Sequence, residues 1–417
     1  MLNVKSFPNK TAVGTFSPFD QVIRLDGFTT KTIEDSFSGE PTVRWKNLLP
    51  MFRTLFHEYT HFLDMTTTTY GLSLLVEIFT GATAFSDGKD SMYDNGASRT
   101  RRAITDLERD EMHARVLGSY RKTWGYKEWY ANAKSQKEDT ARLLTGTIFL
   151  NPETKKQFAW APYSIPSIME SNALANEIFF CQAYFKSEIP EEQHRHTLMQ
   201  GISKEILDLI YNEQYCIYSV CFHRCANQTK EKNIIDASRM SALICELCLD
   251  AAPLTLANIS PPEKTLALIR PDLRGRVIDE IRSGSRTILF FLLTLILTHS
   301  KNGIKNHIEL KKELAEQAGL KNFAKETTEA KSGLIKLLEK KRNKNPQYEN
   351  FLTLIKKNLL IKKKIPLYNF YDYHLPAVLL NDLTVFDLNR FFHPDRAADL
   401  FNPAEHAIWM AEFNAWL

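Results

Sequence analysis

Glycine is scarce in this chain, with 16 in 417 residues, roughly half of ordinary usage. That disfavours an all-β fold built on tight turns and favours helices. Cysteine is also sparse. Six residues cannot staple a chain of this length, which excludes a disulfide scaffold and points to a reducing, cytoplasmic compartment. No long apolar run is present. The most apolar stretch, 288–297, is half of what a bilayer requires and is bracketed by Arg286 and His299, so a buried core helix is expected and no membrane span. The opening residues carry no apolar stretch behind Lys5, and no signal peptide is expected. Nor is there an excess of one charge sign, since 53 Lys and Arg oppose 49 Asp and Glu for a net +4. What the chain does have is 44% apolar and 11% aromatic residues, which excludes a disordered or collagen-like protein.

The distribution of charge says more than its total. Residues 301–366 hold 17 Lys and Arg against 7 Glu, a local balance of +10 that leaves −6 for the rest of the chain. Short strands are expected within 1–40, at 11–16 and 21–25. A helix follows from about Trp45, with Pro50 near its start and Leu48, Phe52, Leu55, Phe56, Tyr59, Phe62 and Leu63 at three- and four-residue steps. Four threonines at 66–69 and Gly71 end it. Another apolar helix is expected over 72–79, and helical patterns resume over 101–135, 166–187, 198–226 and 236–250. Residues 251–275, with Pro253, Pro261, Pro262 and Pro271, read as a linker. The expected fold is mainly α with a small β-sheet, an α+β class with a domain over 1–260 and a helical accessory domain over 261–417.

The chemistry concentrates in His57-Glu58-Tyr59-Thr60-His61. Two histidines four apart on a helix project from one face, one turn apart, so both imidazoles can bind one metal ion. Zn2+ held by three protein ligands keeps a position open and lowers the pKa of bound water to near 7. Glu58, beside the first histidine, would take the proton of the attacking water and pass it to the leaving amine.

With its flanks, Thr54-Leu55-Phe56-His57-Glu58-Tyr59-Thr60-His61-Phe62-Leu63 resembles the extended active-helix consensus of the zincins, the zinc metallopeptidases. That consensus has Thr or Val three before the first histidine, uncharged residues ahead of the second, and apolar residues after it. The metzincin form needs glycine and histidine where this chain has Asp64 and Thr67, so the resemblance points to the gluzincins, whose third ligand is a glutamate on a later helix. Asp64 is expected as an outer-layer group or a surface charge. Glu170, with the small Ala173 one turn on, resembles the ligand helix of several gluzincin families and is the leading candidate. Glu246 within Glu246-Leu247-Cys248-Leu249-Asp250, similar to a thermolysin-type arrangement, and Glu177 remain open. The resemblance also implies an oxyanion-steadying Tyr or His. Tyr163 is the candidate, with His113 and His223 as rivals that are more often ordinary histidines.

Five cysteines fall within 33 residues. The frame Cys221, Cys225, Cys245, Cys248 could hold a second zinc, but it lies on apolar helical patterns, where small core residues are the better reading. The lysine-rich helices read chiefly as solvated faces. A nucleic-acid contact through 301–366 is possible but not favoured, because few arginines or aromatics interleave the lysines. The sequence thus leads to a cytoplasmic zinc metallopeptidase acting on a protein or peptide substrate. The alternatives are a zinc hydrolase of non-peptide amides, or a nucleic-acid- or partner-binding regulator with a structural or vestigial metal site.

Overall fold

The computed structural model describes residues 14–37, 41–109, 115–119, 124–134, 141–189, 191–229, 233–298, 307–341, 343–362, 370, 372–387 and 401–417. These residues are mainly helical, with two four-stranded sheets, which is the expected class. The strands are β1 (Thr15–Phe16), β2 (Ile23–Leu25), β3 (Arg115–Val116), β4 (Gly125–Lys134), β5 (Ala141–Leu150), β6 (Gln157–Pro162), β7 (Val378–Leu380) and β8 (Val385–Phe386). Two compact units divide the chain, residues 1–108 with 331–417, and residues 109–330. No described helix is long and apolar enough to cross a membrane.

In the first unit the sheet runs β1-β2-β7-β8. β2 pairs antiparallel with β1 and parallel with β7, Arg24 opposite Leu379, so strands some 350 residues apart share one ladder. The motif helix, Pro41–Thr67, lies against β1, β2 and the helices Thr69–Ser86 and Tyr348–Lys362. Its core face carries Phe56, Tyr59 and Phe62, all buried. Phe62 meets Phe16 and Phe351 at ring-centroid distances of 6.5 and 6.3 Å, and the Tyr59 hydroxyl donates to the Pro376 carbonyl at 3.0 Å. The helix begins at Pro41, ahead of the expected Trp45, so Pro50 is not near its start. It sits in the interior, where its missing N–H leaves one carbonyl without its donor.

The threonines end the helix as expected. Thr66, Thr67 and Thr68 donate their hydroxyls back to the carbonyls of Phe62, Leu63 and Asp64 at 2.6–2.7 Å. Thr68 then takes extended backbone and caps the next helix by accepting from Gly71 N–H at 3.1 Å. A Cβ at position 71 would fall on the Met65 Cα and carbonyl oxygen, so only glycine lets the two helices turn this closely. Gly71→Ala should therefore destabilise the unit by about 1–3 kcal/mol, read as a lowered midpoint in urea unfolding; an unchanged midpoint would show that the corner can open at no cost.

The second unit has an antiparallel sheet in the order β3-β6-β5-β4. Residues 125–134 are thus strand and not the expected helix. Tyr126, Glu128 and Tyr130 take one side of the pleat, Lys127 and Trp129 the other, and polar and aromatic residues on both sides blur the period-two pattern. One sheet face packs on the helices Cys216–Thr229 and Arg286–Leu297. The latter is the apolar stretch of the sequence, almost wholly buried. Residues 251–275 are no open linker. They form short helical turns tied into the unit by Ser260 N–H to the Gly319 carbonyl at 3.2 Å and Thr265 Oγ1 to the Gln317 carbonyl at 2.8 Å. Position 260, the expected boundary, lies within this unit.

All six cysteines are free and buried. Cys221, Cys225, Cys245 and Cys248 belong to helices that pack together with Ile165–Glu188. Burial pushes the Cys225 thiol up to about 12 and Cys221, Cys245 and Cys248 well above the ordinary range, the behaviour of inert core thiols. Among the described residues these four do not group as metal ligands. Several lysines of 301–366 pair with nearby acids, Lys356 with Glu339 at 2.6 Å and Lys311 with Glu246 at 3.1 Å. Residues 301–306, 342 and 363–366 lie outside the described set.

Candidate metal centre

His57 and His61 stand one turn apart on the motif helix, with ring centroids 5.0 Å apart and planes at 81°. His61 is fully buried and stacks on Phe16 of β1 at 6.2 Å. Because the helix turns about 100° per residue, Tyr59 points away into the core, where its hydroxyl bond to Pro376 fixes the roll of the helix. The Thr60 hydroxyl donates to the Phe56 carbonyl at 2.9 Å and so keeps its polar atom out of the site. Glu58 follows His57 directly and is 7% exposed.

Glu170 comes from the helix Ile165–Glu188, whose start is set by a reciprocal cap. Ser167 N–H donates to Ser164 Oγ at 3.1 Å, Ser164 N–H donates to Ser167 Oγ at 2.8 Å, and Pro166 occupies the first turn. Its neighbours Ile168, Met169, Ala173 and Leu174 are buried, and Glu170 itself is 8% exposed. A carboxylate in such company is costly unless it is paired or bound to a cation. The ligand-capable atoms of His57, His61 and Glu170 all lie within 4.8 Å of one another. Two imidazole nitrogens and one carboxylate oxygen are a donor set suited to zinc, and three protein ligands would leave a fourth position for water or substrate.

The other candidates are placed differently. Glu246 is 6% exposed and pairs with Lys311 Nζ at 3.1 Å. Glu177, two turns beyond Glu170, is buried at 6%. Asp64 is 1% exposed, so it is not a surface charge. Tyr163 is buried, its hydroxyl shares a hydrogen bond with Thr147 Oγ1 at 3.0 Å, and its ring lies 5.2 Å from Phe290. Burial pushes its phenol up to about 12 despite the opposing pull of Arg224, so it is a neutral donor at ordinary pH. His113 lies outside the described residues.

His223 is a core histidine. Its Nε2 meets the Ile210 carbonyl at 2.9 Å and its ring stacks on Trp124 at 5.0 Å. Burial pulls it down to about 4. Folded His223 therefore stays neutral while an unfolded one, near 6.5, takes a proton, and stability falls as pH drops from about 6.5 towards 4, by about 3 kcal/mol. Chemical unfolding at pH 7 and pH 4.5 should show this loss, and His223→Gln should reduce it. An equal loss in both proteins would assign the acid sensitivity elsewhere, for instance to His406, which burial also pulls down to about 4.

Arg224 belongs to no motif of the sequence. It is buried at 5% exposure, pairs with Glu128 at 2.6 Å and donates to Thr294 Oγ1 at 3.2 Å. An arginine between two cysteines of an apolar helix was the available signal. No protein-family model matches the chain, and neither does any curated protein or solved structure.

Proposed function

We propose that this protein is a zinc-dependent metallopeptidase that hydrolyses peptide bonds in a protein or peptide substrate. The observation that carries the reading is the grouping of His57, His61 and Glu170 ligand atoms within 4.8 Å, with Glu58 next to the first histidine. His57, His61 and Glu170 would hold the zinc, which when bound supplies Lewis acidity towards water and the scissile carbonyl. Glu58 does the proton work. Its carboxylate accepts the proton from the attacking water and returns it to the amine nitrogen as the C–N bond breaks. Burial of Glu58 limits competing water around that carboxylate, which strengthens its interactions with the reacting groups. Tyr163 is the proposed donor to the developing oxyanion, and Tyr163→Phe would then lower turnover without altering metal content; unchanged turnover would show that its hydroxyl, bonded to Thr147 at 3.0 Å, serves the fold alone.

Metal analysis of protein purified without chelator tests the first step. About one zinc per chain is expected, and a metal-free protein with both histidines intact would remove the basis of the reading. Mass-spectrometric comparison of peptides from cells expressing the wild type and the Glu58→Gln form would then identify the substrate; indistinguishable peptide sets would argue against peptide hydrolysis.

A further inference from the structure

The second-unit sheet has an outer face that plays no part in the metal centre. Register fixes its composition, since directly opposed residues share a face. One row crosses all four strands as Lys127, Ile148, Trp160 and Arg115, and the row beside it holds Trp129, Gly146 and Pro162. The opposite face, with Leu143, Thr147, Phe149, Ala159 and Ala161, is buried. On the outer face Lys127 and Arg115 are exposed, and Trp129, Ile148 and Trp160 are half-buried. Gly146 has no side chain to separate the strands on either side, so the indoles of Trp129 and Trp160 meet over β5 with centroids 4.8 Å apart.

Three features of this face point to one kind of occupant. It carries cations at both ends of a row about 14 Å wide, three strand spacings, and no described strand residue on this face is acidic. Lys127 and Arg115 make no ion pair among the described residues, and neither indole N–H of Trp129 and Trp160 donates a hydrogen bond among them. Its centre is a pair of half-buried indoles packed against each other at 35°, whose outward ring surface can take an unstacked base, flanked by the charges that a phosphodiester backbone needs. An extended acidic peptide would instead gain most from an open strand edge, where main-chain hydrogen bonds are available, than from the centre of a sheet face. We propose that this face binds single-stranded nucleic acid, with a base stacked on the Trp129–Trp160 pair and phosphates held by Lys127 and Arg115. This surface is separate from the lysine-rich helices, and the proposal does not depend on the metal centre.

Fluorescence anisotropy of the full chain with a short labelled oligo(dT) tests it. Binding is expected, with a salt slope of about −1.4 for two phosphates, a roughly sevenfold loss between about 50 and 200 mM salt. The double variant Lys127→Glu, Arg115→Glu should weaken binding by about tenfold or more and flatten that slope. Trp160→Leu, which keeps an apolar side chain in place, should weaken binding by about tenfold at unchanged slope. No binding at low salt would overturn the proposal. So would full affinity in the charge-reversed variant, which would move the contact to the lysine-rich helices. Equal affinity for duplex DNA, or tighter binding of an acidic aromatic peptide than of oligo(dT), would overturn it as well.

Discussion

Replacing Glu58 with glutamine should lower peptide hydrolysis by a hundred- to ten-thousand-fold while zinc stays near one per chain. The substitution isolates one atom's chemistry. Glutamine keeps the volume and planarity of a side chain that is 7% exposed, so packing is preserved, but its amide cannot accept a proton at ordinary pH. His57 and His61 are untouched, and their spacing comes from the helix itself. Loss of activity with retained metal would therefore be loss of the base. Undiminished hydrolysis in Glu58→Gln would reject Glu58 in that role, and loss of both metal and activity would mean that the carboxylate supports the ligands rather than the proton transfer.

The part of the site readable from sequence is the part that local geometry dictates. An i, i+4 histidine pair needs only a helix, and the apolar spacing from Leu48 to Leu63 demands one. Helix spacing alone does not choose the carboxylate, because Glu170, Glu177 and Glu246 all lie on apolar helices; Glu170 leads on its resemblance to a ligand helix, and its ligand atom is the one that groups with those of His57 and His61. The same divide runs through the fold. The threonine stop at 66–69 and the buried helix 286–297 follow from local chemistry. The pairing of β2 with β7 does not, since Arg24 and Leu379 are joined by nothing in their own sequences. The 125–134 strand was obscured for another reason. Trp129 faces outward on a platform that pairs it with Trp160, so an aromatic stands where a solvent-facing polar residue would have made the alternation plain.

Glu170→Ala should abolish tight zinc retention, a larger loss than the 10–100-fold that removal of an outer partner brings, and it should cost more stability with metal than without. Without zinc the variant loses only what the 8% exposed carboxylate contributes to the metal-free fold, so the two proteins should differ less than they do with metal. With zinc the wild type gains stability by linkage, about 2.7 kcal/mol when free metal is a hundred times its dissociation constant, and the variant gains far less. Thermal melts with and without added zinc read both effects in one experiment. Glu246→Ala is the control, because it removes the partner of Lys311 at 3.1 Å and should lower stability equally with and without metal. If zinc raises the melting temperature of Glu170→Ala as much as that of the wild type, the third ligand lies elsewhere, and a lost zinc response in Glu246→Ala or Glu177→Ala would say where.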